Sequence, residues 1–109
     1  MTTTLRPNGG TSPAAVPPLV FIADADQATL ASIQLMLKDS GIASKAFASG
    51  TDLIDHLSVQ LPACVIADTQ LPDMPGLRLI DNIHQFAPGL AIILLASNSD
   101  VSSAVRTLN

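Results

Sequence analysis

The chain has 109 residues, 48% of them apolar, and nine acidic side chains against five basic ones give a formal charge of −4. That is the profile of one small globular domain with little core to spare, and without a basic run to neutralise phosphates direct nucleic-acid binding is not expected. No apolar stretch approaches the roughly 20 residues of a membrane span. No signal-peptide pattern opens the chain, and the single Cys64 can form no intramolecular disulfide, so a cytoplasmic location is expected.

Residues 1–18 hold Pro7, Pro13, Pro17 and Pro18 around Asn8-Gly9-Gly10, a composition that reads as a flexible leader. Leu19 to Ala23 is apolar at every position, as a strand covered on both faces must be, and it ends in Asp24-Ala25-Asp26. Leu30, Ile33, Met36 and Leu37 fall at helical spacing between Asp26, a plausible N-cap, and Gly41, a plausible stop, which predicts a helix over Gln27–Ser40. A short strand is expected over Ile42–Phe47. Ser49-Gly50-Thr51 then opens a second helix, with Leu53, Ile54 and Leu57 on one face and Pro62 at its end.

Ala63 to Asp68 forms a third strand that delivers a carboxylate from an apolar run into a loop containing Pro72, Pro75 and Gly76. Leu77, Leu79, Ile80, Ile83 and Phe86 mark a third helix closed by Ala87-Pro88-Gly89, and Leu90–Leu95 is a fourth buried strand. Asp100 is expected to cap a last helix, with Val101, Ala104, Val105 and Leu108 inward. Alternating strands and helices of this kind predict an α/β fold: a doubly wound parallel sheet with helices on both faces.

In open parallel sheets ligands sit beyond the carboxyl ends of the strands, where strand order reverses. If the order is flavodoxin-like, Asp24 and Asp68 end neighbouring strands at that point and face each other. Two carboxylates so placed repel unless a cation joins them, and Mg²⁺ suits a small oxygen-rich site. Asp68 is then a potential nucleophile toward phosphorus. An Asp at a strand-to-helix junction is more often an N-cap, which is the first reading of Asp26, whereas Asp68 lies too far ahead of its helix to cap it. His56 and His84 are expected at the surface, and Met36, Met74 and Cys64 in packing. No glycine-rich phosphate loop and no Ser/His/Asp or Cys/His arrangement is present.

Asp24 at the end of strand one, Asp68 at the end of strand three, and the run Leu71-Pro72-x-Met74-x-Gly76 together resemble the receiver domain of two-component response regulators. The segment Asp100-Val101…Ala104-Val105 looks like the fourth helix of the branch fused to LuxR-type helix-turn-helix output domains, and thus to transcription regulation. The resemblance runs from about Leu19 to the chain end. It implies a phosphoprotein rather than an enzyme: Asp68 as phosphoacceptor from a histidine kinase, with Mg²⁺ held by Asp24, Asp68 and the backbone carbonyl of Gln70.

Three departures stand beside it. The second acid of the family's pair is Ala25, which removes a charge from the metal site, and Asp26 is a candidate substitute. The hydroxyl residue that ends strand four in the family aligns with Ala96, and the lysine that follows a fifth strand has no counterpart before Asn109. A domain spanning residues 19–109 without a fifth βα unit would leave strand four as an open edge, and self-association there is expected. The departures also raise an alternative, a degenerate receiver acting as a phosphorylation-independent interaction module. A metal-dependent phosphatase on the same fold is weaker, because it needs a second acid beside the nucleophile and a lysine.

Overall fold

The computed structural model describes residues 18–96 and 105–108. The chain alternates β1 (Leu19–Ala23), α1 (Gln27–Asp39), β2 (Ala43–Phe47), α2 (Gly50–Leu57), β3 (Cys64–Asp68), α3 (Gly76–Phe86) and β4 (Ala91–Leu95), and adds β5 (Val105–Leu108). The strands form one sheet in the order β2-β1-β3-β4-β5. Strands β1 to β4 are parallel, as the expected doubly wound α/β fold requires. From β1 the chain steps outward to β2, then returns past β1 to build β3 and β4, so the strand order reverses between β1 and β3.

Local chemistry sets the helix boundaries. Asp26 caps α1 and Ser49 caps α2, each side chain accepting a hydrogen bond from a backbone amide of the first turn. Gly41 ends the first crossover with φ of +78°, a left-handed conformation that glycine adopts without penalty, and its amide donates to the Lys38 carbonyl at 3.0 Å.

Two apolar clusters hold the layers together. On one face of the sheet Phe21, Val65, Ala67, Ile92 and Leu94 pack under Leu53 and Leu57 of α2 and Leu79, Ile80 and Ile83 of α3. On the other face Val20 and Ile22 pack against Leu30, with Ile33, Leu37, Cys64 and Ile66 at the margin. The second cluster is smaller because α1 is the one helix described on that face. Cys64, Ile66, Ile93 and Leu95 are therefore half-buried rather than covered, and Met36, expected to pack, is 66% exposed. Periodicity identified the inward stripe of α1, but it carries no information about how wide a neighbour covers that stripe. The same applies at the margins of α3, where Leu77 and Phe86 are exposed.

Two expectations are overturned at the end of the chain. Val105 and Leu108 belong to a strand and not to a helix, since β5 runs antiparallel to β4 with Leu95 opposite Val105 and Ile92 opposite Leu108. The spacing of Val101, Ala104, Val105 and Leu108 suits a helix face, but pairing of Val105–Leu108 with the free backbone groups of β4 overrides it. For the same reason β4 is not the open edge on which self-association was expected. The expected leader over residues 1–17 and the helix start at Asp100 and Val101 lie outside the described residues. Among the described residues, no helix is long and apolar enough to cross a membrane.

Candidate functional site

Along β1 the residues Val20, Ile22 and Asp24 share one side of the strand, and along β3 so do Cys64, Ile66 and Asp68. The register pairs Val20 with Cys64 and Ile22 with Ile66, so the next step of the ladder sets Asp24 beside Asp68 at the carboxyl edge. The two expected site residues are thus brought together at the point where strand order reverses. Each is only 5% exposed, and they are the buried charged side chains among the described residues.

A cavity of about 410 Å³ opens over them, lined by Asp24, Ala25, Asp26, Thr29, Asp68, Leu95 and Ala96. Burial, the largest cause, pushes the Asp24 carboxyl above its ordinary value, and the nearby charges of Asp68 and Asp26 push the same way. One backbone contact opposes them: the Asp26 amide donates to Asp24 Oδ1 at 2.9 Å. Asp68 is held in a similar way, its Oδ1 accepting from the Gln70 amide at 3.1 Å. Each carboxylate is oriented by the amide two residues downstream, and the cavity takes what remains of its charge.

Asp26 lines the cavity, but its oxygens serve α1. Oδ1 accepts from the Ala28 amide at 3.3 Å and Oδ2 from the Thr29 hydroxyl at 2.6 Å. These hydrogen bonds hold its carboxyl below the ordinary range. Ala25 and Ala96 contribute methyl groups to the wall and no polar atom from their side chains. Among the described residues no group of three or more His, Cys, Asp or Glu side chains is placed to hold a metal ion. Mg²⁺ asks less of a protein than that: one or two carboxylates, with waters and ligand oxygens completing the octahedron. A pair of buried, mutually repelling carboxylates under an open cavity fits that donor set.

The loop that follows Asp68 is closed on itself. The Gly76 amide donates to the Thr69 carbonyl at 2.8 Å, and the Leu71 amide donates to the Met74 carbonyl at 3.1 Å. Gly76 permits the closure, because a Cβ there would lie 3.1 Å from the Asp68 carbonyl oxygen, from Leu94 Cδ2 and from Thr69 Cα. Leu71 plugs the loop into the core at 7% exposure, and Met74 rests against Gly50 at the start of α2.

The histidines take no part in the site. His56, expected at the surface, is half-buried with its ring 5.5 Å from those of Phe21 and Phe47, while His84 bonds the Leu90 carbonyl through Nε2 at 3.0 Å. Sequence reasoning also missed Asp73, whose carboxylate accepts hydrogen bonds from the Gly50 and Thr51 amides, both at 2.9 Å, and from the Thr51 hydroxyl at 2.6 Å. Its partners lie 22 and 23 residues earlier, beyond the reach of any local motif.

An open, largely parallel sheet with two buried carboxylates at its switch point is a frame for aspartate chemistry, and comparison places the chain in a family. A family model of the response regulator receiver domain matches residues 20–109, and the chain belongs to that family. The DNA-binding transcriptional regulator NtrC of Klebsiella pneumoniae is 30% identical over 87 residues, which cover 80% of this chain and 19% of that protein. The chain thus spans about a fifth of that relative's length. The crystal structure of a response regulator receiver protein from Pseudomonas putida superposes with a TM-score of 0.72 at 26% identity, covering 82% of this chain and 75% of the other. The beryllofluoride-activated NtrC4 receiver domain dimer shares the fold, with a TM-score of 0.70 at 18% identity over 77% of this chain and 69% of its own. The chain is a receiver domain homologous to the response regulators of two-component systems.

Proposed function

We propose that this receiver domain accepts a phosphoryl group on Asp68 from a histidine kinase, and that Mg²⁺ held by Asp24, Asp68 and the backbone carbonyl of Gln70 assists the transfer. The observation that carries the reading is the buried pair Asp24 and Asp68 under an open cavity at the strand-order reversal. Mg²⁺ bound there would spread the charge of the incoming phosphoryl group. The chain's own residues do the rest. The Gln70 amide orients the Asp68 carboxylate, Asp24 supplies the neighbouring negative charge that recruits the cation, and the cavity admits a phosphoryl donor.

Asp26 is left out of this ligand set because both its oxygens are engaged at the start of α1. With two carboxylates in place of three, the affinity for Mg²⁺ is expected to be low. The domain acts as a phosphoacceptor rather than as an enzyme on a separate substrate, and its place is the cytoplasm, where kinases and phosphodonors are found. A role in transcription regulation follows by analogy with NtrC.

The test is incubation with acetyl phosphate and Mg²⁺ followed by intact-protein mass measurement. The expected result is the added mass of one phosphoryl group, lost in Asp68→Ala and strongly reduced in Asp24→Asn. Unmodified wild-type protein under conditions that label a control receiver would favour the phosphorylation-independent interaction module instead.

A further inference from the structure

We propose that Asp73 is a positioning residue for the Asp68 site: by gripping the first residues of α2 it clamps the loop between β3 and α3, and so fixes the Gln70 peptide against Asp68. The inference rests on the receiver reading for the identity of the site, and on the geometry of this chain for the clamp.

The loop from Thr69 to Pro75 has to present one peptide, that of Gln70, to a buried carboxylate. Its own closures tie Thr69 to Gly76 and Leu71 to Met74, and a single bridge pairs Gln70 with Pro75. These hold the loop's shape, the Thr69 amide ties its start to the Leu95 carbonyl of β4 at 3.0 Å, and the far side is fastened from elsewhere. Pro72 and Pro75 have no amide hydrogen to donate. Leu71 anchors the inner side in the core, and the outer side is fastened by Asp73 and Met74, which meet the same two residues of α2. Asp73 takes the Gly50 amide on Oδ1 and the Thr51 amide and hydroxyl on Oδ2, while Met74 lies against the hydrogen-bearing face of Gly50.

A Cβ on Gly50 would stand 2.8 Å from Met74 Sδ, so the glycine is what lets the loop come this close. Three charge-assisted hydrogen bonds to one carboxylate define its position in all directions, which a single bond would not. Asp73 is also more than a cap chosen by α2, which already has a local one: Ser49 accepts from the Asp52 amide at 3.2 Å. What Asp73 adds is a long-range tie between the loop bearing Gln70 and a separate element.

By linkage, whatever orders the loop at one end favours order at the other, so occupation of the Asp68 site and the start of α2 are coupled in both directions. The test uses the full chain with three variants, Asp73→Ala, Thr51→Val and Thr51→Ser, and two readouts: amide hydrogen exchange at Gln70, and the Mg²⁺ dissociation constant by calorimetric titration. Asp73→Ala is expected to speed exchange at Gln70 and to weaken Mg²⁺ about tenfold, in the range seen when groups that orient a metal site are removed. Thr51→Val, which keeps the amide and loses the hydroxyl, moves both readouts in the same direction by less, and Thr51→Ser restores them.

Changes confined to Gly50, Thr51 and the rest of α2, with the Gln70 amide and Mg²⁺ affinity as in wild type, would reduce Asp73 to a helix cap and overturn the proposal. If Asp73→Ala fails to fold, the Thr51 pair carries the same decision. Wild-type protein that binds no Mg²⁺ would count against the Mg²⁺-assisted phosphoacceptor reading alone, and the Gln70 amide would then decide the clamp by itself.

Discussion

At the residue scale two aspartates carry opposite electrostatic signatures, and each predicts its own pH dependence. Burial and the charges of Asp68 and Asp26 raise the Asp24 pKa in the folded chain, so its stabilising contribution is complete below the ordinary carboxylate value and is lost as pH rises through the folded one. A charge on Asp24 is therefore a cost to the folded domain that a cation would relieve. Asp24→Asn is expected to raise the thermal midpoint of the metal-free protein by about 4–8 °C, equivalent to roughly 1 kcal/mol in a domain of this size, and to abolish the shift that Mg²⁺ gives wild type. Differential scanning fluorimetry with and without Mg²⁺ checks both. Asp73 is the reverse case: the Thr51 hydroxyl, above all, with the Gly50 and Thr51 amides, lowers its pKa from 3.8 to about 2. Its contribution is present above the ordinary value and fades as pH falls from about 4 toward 2. Urea midpoints for wild type and Asp73→Asn should therefore differ at neutral pH and converge in acid, and the gap should narrow in high salt because the group is exposed. Asp24 and Asp68 were legible in the sequence because each ends an apolar strand abruptly. Asp73 was not, because nothing within a turn of it in sequence hints at partners 22 and 23 residues away.

At the scale of elements, β1, β3 and β4 are readable as continuous apolar runs and the three helices by their apolar spacing, while the caps at Asp26 and Ser49 stand where the chemistry of orphan amides calls for them. At the end of the chain the i, i+3, i+4, i+7 spacing of Val101, Ala104, Val105 and Leu108 points to a helix, yet Val105–Leu108 pair with β4 as a strand, a tertiary contact that local spacing does not register. Exposure separates helix positions that look alike in sequence. Leu53 on α2 is fully buried against the sheet, and Leu53→Ala is expected to cost about 2–5 kcal/mol in urea unfolding. Met36 on α1 is 66% exposed, and Met36→Ala should fall within about 0.5 kcal/mol of wild type. Gly76→Ala probes the junction of loop and helix. A methyl group there stands 3.1 Å from backbone atoms of Asp68 and Thr69, which cannot swing aside as the Leu94 side chain can, and a loss of about 1–3 kcal/mol is expected.

For the molecule as a whole, the strand order β2-β1-β3-β4 turns a set of local features into a site. Asp24 and Asp68 are 44 residues apart in the chain, and they meet only because the chain reverses direction across the sheet after β2. Strand ends and helix caps can be read locally, but the neighbour relation of β1 and β3 is a property of topology, reached from sequence through the handedness of crossovers and the family resemblance. The same topology leaves one face of the sheet more open than the other, with Ile66, Ile93 and Leu95 half-buried beside α1. We propose that this frame still receives a phosphoryl group although Ala25 and Ala96 offer the cavity neither a carboxylate nor a hydroxyl. Intact-protein mass spectrometry after incubation with acetyl phosphate and Mg²⁺ tests it most directly: one added phosphoryl group on wild type and none on Asp68→Ala is the predicted result, and an unmodified wild type, or equal labelling of the two proteins, would contradict it.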